Sequence, residues 1–479
     1  MFQTCCDGCN TDYEGRYRQL SFRFQIFAFP LTVYIAAIMQ LIQQILFIIL
    51  AGLAIWLFAK KAKFISRNIK LGRDERFPAD PNRWRNMLLM AFGQKRMFDK
   101  PLVALLHFFV YAGFIIINIE ILEIVLDGIF GTHRLFAPYL GNFYTFVINF
   151  FEILAFLVLA SCIIFLLRRN LVRVRRLDMK ELNGWPKSDA NYILTFEIVL
   201  MSLFLIMNAS DKALQIRGYG HYGEVQTADF WVSGILTPLF QNFSTNTLLG
   251  IERGAWWLHI TGIFVFLNYL PYSKHLHIIL AFPNTYFARL QPQGKMTNMP
   301  EIQKEVLYAM QPETVPVDAP VEEQKRFGAK DVFDLSWKDL MDAYTCTECG
   351  RCTAACPANQ TGKILSPRKI MMDTRDRMEE VGNNIDKNGQ FTDDGKTLLH
   401  DYITTEELWA CTSCQACVQA CPVLIHPLHI INQLKRYLAL EESNQPAEWN
   451  GMYSNIENNF APWKFSPDER DRWAEEMKS

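Results

Sequence analysis

Near the end of the chain the sequence runs Cys346-x2-Cys349-x2-Cys352-x3-Cys356-Pro357, and the same spacing returns as Cys411-x2-Cys414-x2-Cys417-x3-Cys421-Pro422. Eight of the twelve cysteines fall in these two runs. Three closely spaced thiolates let one loop wrap a cube of iron and sulfide, while the fourth, one helical turn on, reaches the neighbouring cube. The spacing therefore predicts two [4Fe–4S] clusters with crossed ligands: Cys346, Cys349, Cys352 and Cys421 for one, and Cys411, Cys414, Cys417 and Cys356 for the other. Zinc knots usually use two separated Cys-x-x-Cys pairs, not four-cysteine runs ending in Cys-Pro. A disulfide framework conflicts with thiolates that must stay free in a reducing compartment.

Half of the 479 residues are hydrophobic, 36 are Phe, and the net charge is −1. Such a chain is too long for one core and too apolar for a purely soluble protein. A near-neutral charge, with no strongly basic region outside the membrane loops, excludes nucleic acid as a partner. The apolar runs are confined to the first part, and the remainder is charged, so membrane and soluble regions share one polypeptide.

Spans are expected at 40–59, 102–126, 143–167, 191–208 and 256–281. Basic residues from Lys60 to Lys100 and from Arg168 to Arg176 mark cytoplasmic loops, whereas the loop after span two has Arg134 as its only Lys or Arg. Five spans with the amino terminus outside satisfy these charges and put the cysteine motifs in the cytoplasm. The stretch 230–240 is too short to span and is broken by Gly234 and Pro238, so it is expected at the interface or re-entrant.

The expected fold is a membrane all-α five-helix bundle followed by a mostly α-helical dicluster ferredoxin domain. The divisions are an N-terminal extension 1–38, a transmembrane cytochrome b-like domain 39–283, a linker 284–335 with an amphipathic helix at 301–310, the ferredoxin-like domain 336–443 and a docking tail 444–479. Residues 1–25, with Cys5, Cys6 and Cys9, lack the ligands for a cluster and the basic start of a signal peptide, so they read as an unstructured tail; Met39 is an in-frame alternative start. Gly382-Asn383-Asn384 and Asp393-Asp394-Gly395 are expected to form turns.

Intramembrane histidines are costly and usually functional. His107 lies in span two, and His259 and His277 are 18 residues apart, which in one continuous helix is five turns and about 27 Å. His107 and His277 are expected at the same depth near the cytoplasmic surface, where they can pair on haem iron. At the outer level Ile117 stands ten residues beyond His107, so His259 has no partner inside the membrane, and His133 is the nearest candidate for a second haem, with His221 behind it. His275 is expected to point about 200° away from His277.

His259 and the run Pro271-Tyr272-Ser273-Lys274-His275-Leu276-His277 resemble the last haem-carrying helix of the gamma-type cytochrome b subunit of membrane-bound nitrate reductases. The cysteine region, including Leu408-Trp409-Ala410-Cys411, resembles the iron–sulfur region of heterodisulfide reductase-type proteins and of electron transfer flavoprotein:menaquinone oxidoreductases. These resemblances imply one or two haems b, menaquinone or another quinone as substrate, and a multi-pass place in a bacterial or archaeal cytoplasmic membrane among lipid and quinone. They also imply partnership with a separate cysteine-rich redox subunit or with electron transfer flavoprotein, docked near the tail. Glu120 and Glu123, in span two, are the candidate catalytic carboxylates for quinone protonation, against the alternative that they snorkel or pair.

The function implied is a quinone-linked oxidoreductase component passing electrons between a cytoplasmic partner and the quinone pool. One alternative is a quinol-oxidising subunit feeding a heterodisulfide reductase-like enzyme. Another is a membrane scaffold or ion-translocating subunit with structural clusters, which would call for ionisable pairs or broken helices around a midplane cavity.

Overall fold

The computed structural model describes residues 12–224, 230–315, 326–464 and 466–478, so Cys5, Cys6 and Cys9 lie outside it. The described residues are mainly helical and contain no β-strand, only isolated bridges. They divide into two units.

Five long helices run through the first part of the chain: α1 (Asp12–Ile69), α2 (Pro101–Phe130), α3 (Asn142–Asn170), α4 (Trp185–Ile216) and α5 (Thr245–Tyr269). Among the described residues four helices are long and apolar enough to cross a membrane: Ala37–Ile69 within α1, and α2, α3 and α4. The expected fifth is not among them. Glu252, Arg253 and His259 interrupt the apolar run of α5. The helix also stops at Tyr269 instead of continuing to residue 281, because Pro271 lacks the amide a continuing helix needs. Two 3-10 turns follow, and His277 opens a new helix, α6 (His277–Tyr286). The five-turn relation between His259 and His277 therefore does not hold. The rings of His275 and His277 are 5.6 Å apart, not on opposite faces.

Helix α1 already runs from Asp12, within the stretch read as unstructured; that stretch holds good helix formers and only one glycine after Asp12. Leu41, Ile45, Ile49 and Leu53 of α1 remain exposed, a surface suited to hydrocarbon. In the first unit the core forms where Phe47 meets Trp256, Trp257 and Phe264, with Ile124 and Ile260 beside it. Gly128 permits this packing, since a Cβ there would come within 2.7 Å of the Phe47 ring. The stretch expected at the interface contains the short helix Ser233–Phe240, held by Glu152, which accepts from the amides of Val232 and Ser233.

The second unit contains α6, the amphipathic helix Pro300–Met310, and then α7 (Trp337–Thr345), α8 (Pro367–Asn388), α9 (Pro427–Leu440) and α10 (Ala447–Asn459). Ser336 and Asp339 form a reciprocal capping box at the start of α7, and Ser366 caps α8 through the Lys369 amide. The core beneath them includes Leu335, Leu340, Ile370, Met378, Leu408, Ile431 and Leu434. Helix α8 continues through Gly382-Asn383-Asn384, where a turn was expected, and turns only at Gly389. Gly382 serves close approach instead: a Cβ there would meet the Asn68 amide at 2.4 Å. The expected turn at Asp393-Asp394-Gly395 is present, with the Gly395 amide donating to Asp393.

The fully buried Arg377 of α8 pairs with Asp331 at 2.9 Å and also bonds Asp394, and Asp331 accepts from the Leu398 amide. Replacing Arg377 by Met leaves Asp331 buried without its cation. Loss of about 3–5 kcal/mol of stability is expected, read as a lower midpoint in denaturant unfolding of the loaded protein.

Candidate metal centres

The two cysteine runs fold alike. In the first, Glu348 and Gly350 adopt left-handed backbone conformations; in the second, Ser413 and Gln415 occupy the equivalent positions with the same handedness. These kinks turn three thiols inward within seven residues. Cys352 and Cys417 then sit in the one-turn helices Arg351–Ala355 and Ala416–Ala420, which pack on each other. Cys356 and Cys421 end those helices in extended conformation, and Pro357 after Cys356 starts the next helical turn.

The outcome is two cavities with crossed cysteines. One is lined by Cys346, Cys349, Cys352 and Cys421, and the other by Cys356, Cys411, Cys414 and Cys417. Among the described residues no group of three His, Cys, Asp or Glu is placed to hold a single metal ion. Thiols arranged around a volume fit a polynuclear cluster better than a mononuclear zinc site. Cys414, which lines the second cavity, is alone of the eight in being exposed.

Burial pushes the thiols of Cys346 and Cys417 up to about 12 and raises those of Cys352 and Cys421 as well. Without metal these sites favour neutral thiols; iron binding must displace the protons. Backbone amides help hold the sulfurs: Ser413 N donates to Cys411 Sγ at 3.4 Å and Ile425 N to Cys421 Sγ at 3.3 Å.

Sequence reading gave the basic loops a topological role only. In the second unit they also build the first cavity's surroundings. Arg96 donates to the carbonyls of Val418 and Cys421, Arg176 to that of Cys349, and Arg351 to that of Arg96. Arg368, fully buried, donates to the Arg176 carbonyl at 2.7 Å and to Glu181 at 2.8 Å. Gly350 is required here by space, because a Cβ would come within 2.8 Å of the Arg176 carbonyl oxygen. Burial alone would raise the Glu348 carboxyl, but Arg375 and Lys274, both bonded to it, hold it below its ordinary value. No spacing rule identifies these distant arginines; only clustering of basic residues flanking the spans hinted at them.

The histidines are distributed over both units, with His107 and His259 in the first and His277 in the second. The Nδ1 of His259 bonds the Leu200 carbonyl, and that of His277 the Lys274 carbonyl, each at 3.0 Å. A carbonyl only accepts, so each Nδ1 donates and each Nε2 keeps the lone pair a metal ligand needs. His133 differs. Its Nδ1 accepts from Arg253 at 3.1 Å and its Nε2 lies 3.6 Å from Asp211, so both nitrogens face protein partners and the expected haem role finds no support in its geometry.

Glu123 accepts from the Phe136 amide and the Tyr144 hydroxyl, which gives it a structural role in a polar network. Asp211 of that network pairs with Arg134 at 2.6 Å. Glu120 is buried too, yet its Oε2 has no hydrogen-bond partner among the described residues.

Crossed ligation has a direct test. Cys356→Ser and Cys411→Ser should each abolish or alter the same reduced-cluster EPR signal, and Cys346→Ser and Cys421→Ser the other, each loss removing about half of the cluster iron. Pairing of Cys356 with Cys346 in one phenotype would refute it.

Residues 345–425 match the 4Fe-4S dicluster domain family. The chain is 28% identical over 462 residues to the "Probable iron-sulfur-binding oxidoreductase FadF" of Bacillus subtilis (strain 168), covering 90% of this chain and 61% of that protein. It is 27% identical over 449 residues to the EtfAB:quinone oxidoreductase of Syntrophomonas wolfei, covering 88% of this chain and 57% of that protein. A "Probable membrane-anchored ferredoxin" of Chromohalobacter salexigens is 31% identical over 166 residues, 31% of this chain and 24% of that protein. The chain thus spans about three fifths of the length of the first two relatives. No solved structure matches. Two of these relatives are named as oxidoreductases and one as a ferredoxin, and this chain carries a 4Fe-4S dicluster domain.

Proposed function

We propose that this chain is the membrane-bound electron-transfer part of a quinone-linked oxidoreductase, working between a cytoplasmic redox partner and the quinone pool through two [4Fe–4S] clusters and haem b. The observation that carries the reading is the crossed division of eight cysteines between two cavities. Four helices with the length and apolarity of membrane spans support a bilayer setting. The similarity to a protein named EtfAB:quinone oxidoreductase supports quinone as substrate and electron transfer flavoprotein, or a cysteine-rich subunit bound to it, as partner. In this reading α5 is the fifth span, residues 39–283 form the cytochrome-like domain, 336–443 the cytoplasmic ferredoxin-like domain and 444–479 the docking tail, with 284–335 as linker.

Bound clusters and haem supply one-electron carriage that no side chain offers. The chain's own residues hold them. Eight cysteines bind the clusters, and in this reading haem b ligation falls to His107 and His277. His259, whose Nε2 is likewise left for a metal, is the ligand available to a second. Glu120 holds the proton destined for quinone: its carboxylate is buried, with one oxygen unpartnered among the described residues. Glu123, tied to Phe136 and Tyr144, positions the neighbouring loop.

A dithionite-reduced minus oxidised optical spectrum of the purified membrane protein tests the haem. A b-type signal is expected, lost in His107→Ala and His277→Ala; its absence from cluster-loaded wild type would sink the cytochrome reading. Glu120→Gln should slow quinone turnover by about a hundredfold while leaving the haem spectrum intact. Unchanged turnover would remove Glu120 from the reaction.

A further inference from the structure

We infer that Arg96, Arg176, Arg351 and Arg368 make the site of Cys346, Cys349, Cys352 and Cys421 the electron-accepting member of the pair. The inference rests on the cluster assignment proposed above and is independent of haem and quinone.

The two cavities share a backbone plan but differ in charge. Arg351 and Arg368 line the first; the lining of the second includes no charged side chain. Arg96 and Arg176 add to the first through the carbonyls of Cys421 and Cys349, two of its own ligands. A carbonyl partner orients a guanidinium without neutralising it, so these bonds leave the positive charge in place. Arg368 shares its charge with Glu181, and Glu348, next to Cys349, is covered by both Lys274 and Arg375. The surroundings stay net positive. Beside the second cavity the corresponding contact is Lys435, which donates to the Cys411 carbonyl at 2.6 Å.

Adding an electron makes a cluster more negative by one charge. Nearby positive charge stabilises that state and raises the reduction potential. Amide hydrogen bonds to sulfur act in the same sense as the arginines, with the amides of Glu348, Val423 and Ile425 at the first site and those of Ser413 and Val418 at the second. Solvent acts in the opposite sense, favouring reduction at the exposed Cys414. Of that site's four cysteines only Cys414 is exposed, whereas the arginines are buried or half-buried, where screening is weak. Charge therefore wins. The exposed site is the one a soluble partner can approach, and the arginine-lined site, held by loops from the ends of apolar helices, retains the electron.

The test is an EPR-monitored redox titration of the full chain with both clusters loaded and no quinone present, with Cys414→Ser used to identify the signal of the exposed site. The other signal should titrate at the higher potential. Arg176→Gln and Arg351→Gln should lower that potential and leave the exposed-site signal where it was, and Arg176→Lys should restore much of it. Equal potentials, or a higher one at the exposed site, in fully loaded wild type would overturn the ordering while leaving the cluster assignment intact. Absence of cluster iron from the wild type would overturn the assignment and the ordering with it.

Discussion

Eight thiols gathered around two cavities are the constraint on which the second unit depends. Most are buried or half-buried, and burial holds several as neutral thiols well above their ordinary range. Metal binding must displace those protons, so the folding of this unit is coupled to its loading. The left-handed kinks at Glu348, Gly350, Ser413 and Gln415, the paired one-turn helices and the capped helices α7 and α8 all follow from the need to hold those sulfurs in place.

The arginines around the first cavity solve a second problem. A cluster ligated by four thiolates carries negative charge into a partly desolvated core, and that charge needs compensation. Arg368 is fully buried, and Arg96 and Arg176 enter from loops next to the apolar helices. The same basic loops that orient a membrane protein by the positive-inside rule can thus serve as electrostatic surroundings for a redox site. In the first unit charge is instead matched locally: Arg134 with Asp211, Arg253 with Glu252, and Glu123 with the Tyr144 hydroxyl. Glu120 is a carboxylate there whose Oε2 has no hydrogen-bond partner among the described residues.

The local plan was legible from spacing. The Cys-x2-Cys-x2-Cys-x3-Cys-Pro pattern predicted which cysteines share a site, because one loop can supply only three ligands before its backbone turns into a helix. Apolar runs likewise located α2 and α3 to within four residues, whereas α1 and α4 run well beyond the spans read at 40–59 and 191–208. Local reasoning failed where tertiary contacts compete. Gly382 read as a turn signal and is a contact point for Asn68 within α8. Periodicity carried span five past Pro271, although the missing amide ends α5 at Tyr269 and starts a fresh helix at His277. His133 read as a ligand candidate because it lay in the right loop; its nitrogens face Arg253 and Asp211.

By itself the sequence determined the dicluster motif, the crossed grouping of its cysteines and the separation of apolar from charged regions, since each depends on spacing or composition along the chain. Only the tertiary structure decided the difference between the two cavities. Arg96 and Arg176 are separated by 325 and 173 residues from the cysteines whose carbonyls they meet, and charge acts through space, not along the backbone.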